Sequence, residues 1–300
     1  MIRPPFLELS DKIAIVSPSG KISSSYVNDT INILQQWGLE VSVSDNALGE
    51  VGGFSGLVEE RLNDLQAAMN DREVRLIFCS RGGYGAIHLL EQLNFDIIKE
   101  NPKWLLGFSD ITALHSTFQR NGLMSIHAPM AKHFSDEGNS DLSVQYIKDV
   151  ITGKPLDYTI PLKSSQLNKQ GEVTGRLFGG NLSVLTSLIG SKYIYLPKNG
   201  ILFLEDIGEK PYKVDKMIHQ LKISGIFNNI KGLIIGQFTE YEEDPNMYED
   251  LYESIYTVIK EFSFPVCFDF PVGHTKLNFP LIMGQTATLT VNEHSILLKQ

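Results

Sequence analysis

Short apolar runs alternate with helical stripes up to about residue 130. Runs that fit buried strands occur at 12–16, 39–44, 74–79 and 104–108. Between them, apolar side chains recur at helical spacing, as at Val27, Ile31 and Leu34. Such alternation predicts a parallel sheet wrapped by helices, with ligands at the carboxyl ends of the strands. The predicted fold class is therefore α/β, and its first half is flavodoxin- or amidotransferase-like.

The second half of the chain mixes strands and helices less regularly. Strand-like runs occur at 201–204, 233–235 and 266–268, with helical stripes between them. Two final runs, 286–291 and 295–298, are joined by a short polar turn and predict a terminal β-hairpin. We therefore predict a smaller, mixed α/β domain in the C-terminal half.

The boundary between the two halves lies where apolar periodicity weakens, between about residues 130 and 170. A polar stretch that includes Ser164, Ser165 and Gln166 is typical of such a boundary. We predict an N-terminal domain at 1–150 that carries the nucleophile, a linker at 151–170, and a C-terminal domain at 171–300.

The stretch 107–112 places a serine between a buried strand and a helix. Ser109 is therefore predicted to lie on a strand-to-helix turn, where its side chain is exposed and the first free N–H groups of the helix point at what it attacks. A nucleophile elbow has this design, although the sequence lacks the second glycine of Gly-x-Ser-x-Gly. The alternative is that Ser109 or Asp110 only caps the helix.

An acidic pair and a histidine provide what a serine nucleophile needs. Glu205 and Asp206 close a strand-like run, and His274 follows another strand in a glycine-flanked loop. A serine, an acid and a histidine at strand ends suit nucleophilic acyl transfer. On the residues alone, Glu205 and Asp206 are near-equal candidates to orient the imidazole. His127, which ends a strand of the first half, is the rival base.

A glycine-rich segment, here called the glycine loop (residues 81–85), follows the strand at 74–79. It opens a predicted helix that bears Ile87, Leu90 and Leu93, so its N–H groups could form half of an oxyanion hole. The other donor would be the N–H of Asp110. The loop does not match the Gly-x-Gly-x-x-Gly pattern of a dinucleotide site. Residues 17–20 could cradle an anion, but an ordinary strand-to-helix turn is favoured.

Composition excludes several classes of protein. The net charge of −9 and the pI of about 5.3 leave no basic stripe for nucleic acid. Cys79 and Cys267 each end an apolar run, which favours reduced core thiols in an intracellular protein. No zinc-ligand spacing, leader peptide or membrane-spanning stretch is apparent, so neither a metal nor a cofactor is expected, and the cytoplasm is the expected location.

Ordered motifs along almost the whole chain carry a resemblance to a known family. They are the elbow, Ser80 to Gly85, Gly179-Gly180-Asn181-Leu182, Leu202 to Asp206, and Gly273-His274 with Asn278 and Pro280. Together they resemble the LD-carboxypeptidases, serine peptidases of peptidase family S66. The resemblance implies a Ser-Glu-His triad of Ser109, Glu205 and His274. It also implies a cytoplasmic homodimer that releases the terminal D-alanine from murein tetrapeptide in cell-wall recycling.

Some assignments stay open at this point. The second oxyanion donor is the N–H of either Gly82 or Gly83. Arg81 could bind the free carboxylate of a peptide substrate, and a structural salt bridge is at least as good an explanation.

Two alternative functions also remain. Relatives of the microcin-immunity type hydrolyse peptidyl- or aminoacyl-nucleotide conjugates and use aromatic residues around adenine, whereas residues 130–180 here contain no tryptophan. A non-catalytic small-ligand-binding protein, with Ser109 only as a cap, belongs to a different class.

Overall fold

The chain forms two compact units in the computed structural model, which describes residues 1–162, 167–248 and 250–300. The first unit contains Met1–Lys154 and Phe279–Met283, and the second contains Pro155–Asn278 and Gly284–Gln300. The part of the predicted linker at residues 163–166 lies outside the described residues. The division into domains at 1–150 and 171–300 stays a prediction, and it did not anticipate that residues 279–283 belong to the first unit.

The first unit is built from strands that alternate with helices. Its strands are β1 (Lys12–Val16), β2 (Glu40–Val43), β3 (Val74–Cys79), β4 (Trp104–Gly107) and β5 (Ser125–His127). Its helices are α1 (Ser24–Gln36), α2 (Val58–Asn70), α3 (Asp96–Glu100), α4 (Thr112–Arg120), α5 (Ala131–Glu137) and α6 (Leu142–Ile151). Two 3₁₀ turns, Ala86–Leu89 and Ser109–Ile111, follow β3 and β4.

These strands form a parallel sheet because both of its faces are apolar. Every residue of β4 is buried, as are all residues of β1 except Lys12, so the strands need cover on both faces. From one edge, the strands lie in the order β5, β4, β3, β1, β2, and each neighbouring pair is parallel. A late strand, residues 281–283, adds to β5 in the antiparallel direction.

The second unit follows a mixed plan. Its strands are β6 (Asp157–Pro161), β7 (Gly171–Asn181), β8 (Gly200–Ile207), β9 (Ile230–Thr239), β10 (Val266–Cys267), β12 (Thr286–Val291) and β13 (Ser295–Lys299). The late strand of the first unit is β11 (Leu281–Met283). Its helices are α7 (Leu182–Ser187), α8 (Pro211–Ile223) and α9 (Leu251–Ile259), and a 3₁₀ turn occupies Phe227–Asn229.

The second sheet is half parallel and half antiparallel. Its order is β10-β9-β8-β7-β12-β13-β6. Strands β7 to β10 pair in parallel, whereas β12, β13 and β6 extend the sheet with antiparallel pairs. The predicted α/β fold class, with a parallel first sheet and a terminal hairpin in a mixed second half, is confirmed.

The helix predicted after the glycine loop is wrong in extent. Only a 3₁₀ turn, Ala86–Leu89, forms there, and α3 begins later at Asp96. The side chain of Gln66 binds the segment between the turn and α3: it accepts from the N–H of Asn94 at 2.8 Å and donates to the carbonyl of Asn94 at 3.0 Å. Asn94 then accepts from the N–H of Asp96 at 2.7 Å and opens the next helix.

Both cysteines are free and buried, as predicted. Burial raises the pKa of each thiol far above its ordinary value, so neither is reactive. In the described ranges, none of the helices has both the length and the apolar character that a membrane span requires.

Candidate active site

Ser109 lies directly after β4 in a backbone conformation that is unusual for a serine. Its φ is +62°, in the left-handed region that L-residues rarely adopt. The 3₁₀ turn that begins at Ser109 leads into α4, so the residue lies on a tight strand-to-helix turn. This strained turn is the geometry of a nucleophile elbow, even though the second glycine of the motif is absent.

The helix-cap explanation of Ser109 and Asp110 loses its support. Among the described residues, neither side chain accepts a hydrogen bond from the first turn of its own helix. The Asp110 carboxylate is instead buried, and its Oδ2 accepts from Ser19 Oγ at 2.6 Å and from the N–H of Ala86 at 2.8 Å. Asp110 therefore connects the elbow to two neighbouring loops.

The glycine loop approaches Ser109 at Gly82. A Cβ added to Gly82 would lie 2.9 Å from Ser109 Cβ, 3.1 Å from Ser109 Oγ and 3.3 Å from the Asp110 nitrogen. Only glycine allows the backbone to come this close. Gly82 therefore lies beside Ser109 and the backbone N–H of Asp110, and Gly83 packs next to Gly20.

The glycine N–H groups remain available to a ligand. The carbonyl of Gly82 accepts from the N–H of Gly20 at 2.9 Å, and Gly83 has a φ of +96°. Over the described ranges, the N–H groups of Gly82 and Gly83 donate to no protein acceptor. Donors of this kind beside a nucleophile suit an oxyanion hole.

Residues 17–20 form an ordinary turn whose hydroxyls bind protein groups. Ser17 Oγ donates to the carbonyl of Ala47 at 2.6 Å, and Ser19 Oγ donates to Asp110. The turn therefore uses its polar groups to hold neighbouring segments.

Glu205 and His274 form a hydrogen-bonded pair in the second unit. Glu205 Oε2 lies 2.8 Å from His274 Nδ1, and the Glu205 side chain is fully buried. Because a carboxylate can only accept, the proton of a neutral imidazole lies on Nδ1 and leaves Nε2 as the basic nitrogen. This is the arrangement in which a histidine acts as a general base.

Glycine positions the loop that carries His274. Gly273 has a φ of +125°, and a Cβ there would lie 3.0 Å from both Cβ and Oε2 of Glu205. The N–H of Gly273 donates to Asn278 Oδ1 at 3.0 Å, and the preceding carbonyl of Val272 accepts from the N–H of Gln237 in β9 at 2.9 Å. The loop therefore packs against β8, at Glu205, and against β9, at Gln237.

The electrostatic surroundings favour a protonated His274. Burial alone disfavours the imidazolium ion, but the hydrogen bond and charge of Glu205, with the charges of Asp206 and Glu240, outweigh it. The result is a His274 pKa above its ordinary value of 6.5.

Asp206 has a different partner set from Glu205. Its Oδ1 accepts from Asn181 Nδ2 at 2.8 Å, and its Oδ2 accepts from the N–H of Ser183 at 2.9 Å in the first turn of α7. Burial, followed by the charge of Glu205, raises the pKa of Asp206 to about 6. Asp206 therefore caps the first turn of α7.

Two other sequence candidates have different surroundings. The ring of His127 is buried between Phe108 and His115, with centroids 5.7 and 6.3 Å away. Arg81 is exposed and donates from Nη1 to the carbonyl of Lys21 at 2.6 Å. Arg81 makes no ion pair with any described residue.

Sequence reasoning missed the roles of Arg61 and Ser19. Arg61 donates to the backbone carbonyl of Gly85 in the glycine loop, and Ser19 donates to the Asp110 carboxylate. Arg61 lies in an amphipathic helix where an arginine is ordinary, and Ser19 lies in a turn where a serine is ordinary. No local pattern distinguishes either residue.

Comparisons with known proteins agree on one family. Residues 13–128 match the LD-carboxypeptidase N-terminal domain, and residues 174–289 match the LD-carboxypeptidase C-terminal domain. The chain is 33% identical over 290 residues to a Synechocystis protein named as a carboxypeptidase, a match that covers 96% of this chain and 94% of the relative.

Solved structures show the same fold. A muramoyltetrapeptide carboxypeptidase from Oxalobacter formigenes is 30% identical, with a TM-score of 0.88 over 96% of this chain and 98% of that one. The microcin C7 self immunity protein MccF, in its wild-type apo state, has a TM-score of 0.89 over 100% of this chain and 99% of its own. Its identity is 22%, so this second likeness concerns the fold alone.

Proposed function

Because the chain belongs to the LD-carboxypeptidase family and is a serine carboxypeptidase, we propose that it releases the C-terminal D-alanine of a murein tetrapeptide by hydrolysing an L,D peptide bond. The name of the Oxalobacter relative supports this substrate. The cytoplasmic location, the homodimer and the role in cell-wall recycling belong to the same proposal.

The proposed chemistry uses Ser109 as the nucleophile, His274 as the general base and Glu205 as the residue that orients the base. His274 Nε2 takes the proton of Ser109 Oγ as the oxygen attacks the scissile carbonyl, and then delivers it to the leaving amine of D-alanine. A water molecule, activated by the same imidazole, then hydrolyses the acyl-enzyme. Glu205 stabilises the imidazolium ion formed in each half-reaction.

The oxyanion of each tetrahedral intermediate would accept hydrogen bonds from the backbone. We assign the donors to the N–H of Asp110 and the N–H of Gly82 or Gly83, because Gly82 lies against Ser109 and Gly83 follows it in the same loop. The guanidinium of Arg81, which makes no ion pair with a described residue, is proposed to bind the free carboxylate of the substrate.

One observation carries the proposal most strongly. The Glu205–His274 hydrogen bond of 2.8 Å joins a fully buried carboxylate to an imidazole in a glycine-positioned loop. A non-catalytic binding protein gains little from a buried carboxylate committed to one histidine, whereas a general base needs this support.

The first prediction is direct. Incubation with a murein tetrapeptide should release D-alanine and leave the tripeptide, detected by mass. Ser109→Ala and His274→Ala should each lose at least about three orders of magnitude in turnover, since both act in the bond-breaking step. Ser187→Ala, at an exposed helix position, is the matched control and should keep full activity.

The outcomes distinguish the alternatives. Cleavage of a peptidyl-adenylate with no release of D-alanine from the tetrapeptide would favour the microcin-immunity type. A fluorophosphonate that labels the wild-type protein but not Ser109→Ala supports a serine hydrolase. Absence of labelling together with ligand binding would favour a non-catalytic protein.

A further inference from the structure

Two buried side chains of opposite charge lie against the loops around the elbow. Arg61, from α2, is 2% exposed, and Asp110, directly after the nucleophile, is 3% exposed. The charge of each acts on the pKa of the other, so the two are electrostatic neighbours. A buried guanidinium and a buried carboxylate cost folding free energy unless their hydrogen bonds are satisfied.

Arg61 directs Nε and Nη1 to backbone carbonyls, and its Nη2 lies 3.4 Å from His88 Nδ1. Its Nη1 donates to the carbonyl of Pro18 at 2.6 Å and to that of Gly85 at 3.0 Å, and its Nε donates to that of Gly56 at 3.1 Å. These carbonyls belong to three loops that are far apart in sequence. The planar guanidinium holds all three in one geometry, which a lysine cannot reproduce.

Asp110 holds two of the same loops through their donors. Its Oδ2 accepts from Ser19 Oγ and from the N–H of Ala86. The peptide unit between Gly85 and Ala86 is thus held on both sides, by Arg61 at its carbonyl and by Asp110 at its N–H. The Pro18–Ser19 segment is held by Arg61 at the Pro18 carbonyl and by Asp110 at the Ser19 hydroxyl.

The contacts of Arg61 and Asp110 lie on both sides of the part of the glycine loop that is next to Ser109. The Gly85–Ala86 peptide fixes the C-terminal end of the loop. The turn that contains Pro18 and Ser19 continues to Gly20, whose N–H binds the carbonyl of Gly82 at 2.9 Å. A Cβ on Gly85 would lie 2.7 Å from Arg61 Nη1, which shows how tightly the guanidinium contacts the loop.

We propose that Arg61 and the Asp110 carboxylate are positioning residues that hold the glycine loop against the elbow and thereby set the oxyanion donors. The inference rests on the proposed function. Neither side chain touches the reacting atoms, and their contribution appears when negative charge develops on the substrate oxygen. Arg61 and the Asp110 carboxylate therefore support turnover more than ground-state binding of the substrate.

The test compares Arg61→Met, Arg61→Lys and Ser19→Ala with the control Arg72→Met, whose parent arginine is exposed and pairs only loosely with Glu100. A displacement of about 1 Å in catalytic geometry costs about 100-fold in rate. We expect a loss of about that size in kcat for Arg61→Met, smaller losses for Arg61→Lys and Ser19→Ala, and KM within about twofold of wild type.

A second readout separates positioning from general damage to the fold. A peptide boronic acid forms a tetrahedral anion on the serine and uses the oxyanion donors. Its inhibition constant should rise across the folded variants in proportion to the fall in kcat/KM. Thermal unfolding identifies any variant that fails to fold. If Arg61→Met does not fold, Arg61→Lys and Ser19→Ala still test the proposal.

Unchanged kcat in folded Arg61→Lys and Ser19→Ala would overturn the inference while the proposed function stands. A rise in KM without loss of kcat, or a boronate affinity that does not follow kcat/KM, would also overturn it. A wild-type protein that neither cleaves the tetrapeptide nor reacts with a fluorophosphonate would overturn the proposed function and the inference that rests on it.

Discussion

Glu205 and Asp206 are adjacent in sequence, yet the strand gives them different roles. Successive side chains of β8 point to opposite faces of the sheet, so only one of the two carboxylates can meet the loop that carries His274. Glu205 Oε2 binds His274 Nδ1, and Asp206 binds Asn181 and the first turn of α7. The sequence did not distinguish which of the two acids binds the imidazole, and the structure shows that Glu205 makes this hydrogen bond. Its catalytic role remains a proposal.

The second prediction compares these two acids. Glu205→Gln should keep the fold but present an amide N–H to Nδ1, which favours the wrong imidazole tautomer. The comparable change in a known triad lowers turnover by about four orders of magnitude. Asp206→Asn should lose little turnover. It should instead lower the free energy of unfolding by about 1–3 kcal/mol, because one of the bonds to Asn181 or α7 is lost.

Measurement of kcat and of urea unfolding on both variants checks this separation. A greater loss of turnover in Asp206→Asn than in Glu205→Gln would reverse the assignment of the third triad member.

The third prediction is a pH dependence with a defined sign. His274 must be neutral to accept the serine proton, and its pKa lies above 6.5 because Glu205, Asp206 and Glu240 outweigh the effect of burial. The value of kcat/KM should therefore fall as the pH drops through a midpoint above 6.5. Glu205→Gln should move the midpoint of the residual activity to lower pH, since the strongest stabilising partner of the cation is gone.

A pH–rate profile on wild type and this variant is the measurement. A wild-type profile that stays flat down to pH 5 would mean that no histidine base operates.

At the scale of elements, a close approach between β7 and β8 brings the helix-cap segment to Asp206. Gly179 of β7 pairs with Phe203 of β8, and a Cβ on Gly179 would lie 2.0 Å from the Phe203 carbonyl oxygen. The φ of Gly179 is +119°, which a side chain disfavours. A glycine at position 179 is therefore a requirement of strand packing.

The fourth prediction uses this contact. Gly179→Ala should lower the free energy of unfolding by about 3 kcal/mol or more, because both the clash and the left-handed backbone are unfavourable. Gly122→Ala is the control, since Gly122 has a φ of +83° with open space around its Cβ position. It should cost only about 1–2 kcal/mol. Equal destabilisation in urea unfolding would contradict the role of the close strand contact.

Element prediction succeeded where the apolar pattern is long and failed where side chains intervene. Strands β1, β3 and β4 and helices α1 and α4 lie where the periodicity places them. Only a 3₁₀ turn forms where a helix was expected after the glycine loop, and the side chain of Gln66 in α2 binds the backbone of Asn94 beyond that turn. Local periodicity contains no information about such a contact.

For the whole molecule, the fifth prediction is metal independence. Within the described ranges, no group of three or more histidine, cysteine or acidic side chains could hold a metal ion. Treatment with EDTA should therefore leave kcat and KM unchanged, as measured by D-alanine release. Inactivation by EDTA with recovery on added zinc would require the serine mechanism to be abandoned.

Local patterns in the sequence were enough to predict the fold class and the family. Buried strands and amphipathic helices are local patterns, because burial on both faces of a parallel sheet requires continuous apolar runs. Local patterns also predicted the strand-to-helix turn at Ser109, the glycine loop and the terminal hairpin. The family was identified by ordered motifs over almost the whole chain.

The partners of the polar side chains, in contrast, emerge from the folded structure. It paired His274 with Glu205 and gave Asp206 to α7. It also turned the side chain of Asp110 away from its own helix toward Ser19 and Ala86, and buried Arg61 among carbonyls from three loops. These partners lie far apart in sequence, and a polar side chain takes whichever donor or acceptor the fold brings within about 3 Å. That distance is a property of the packed chain, and no local sequence pattern encodes it.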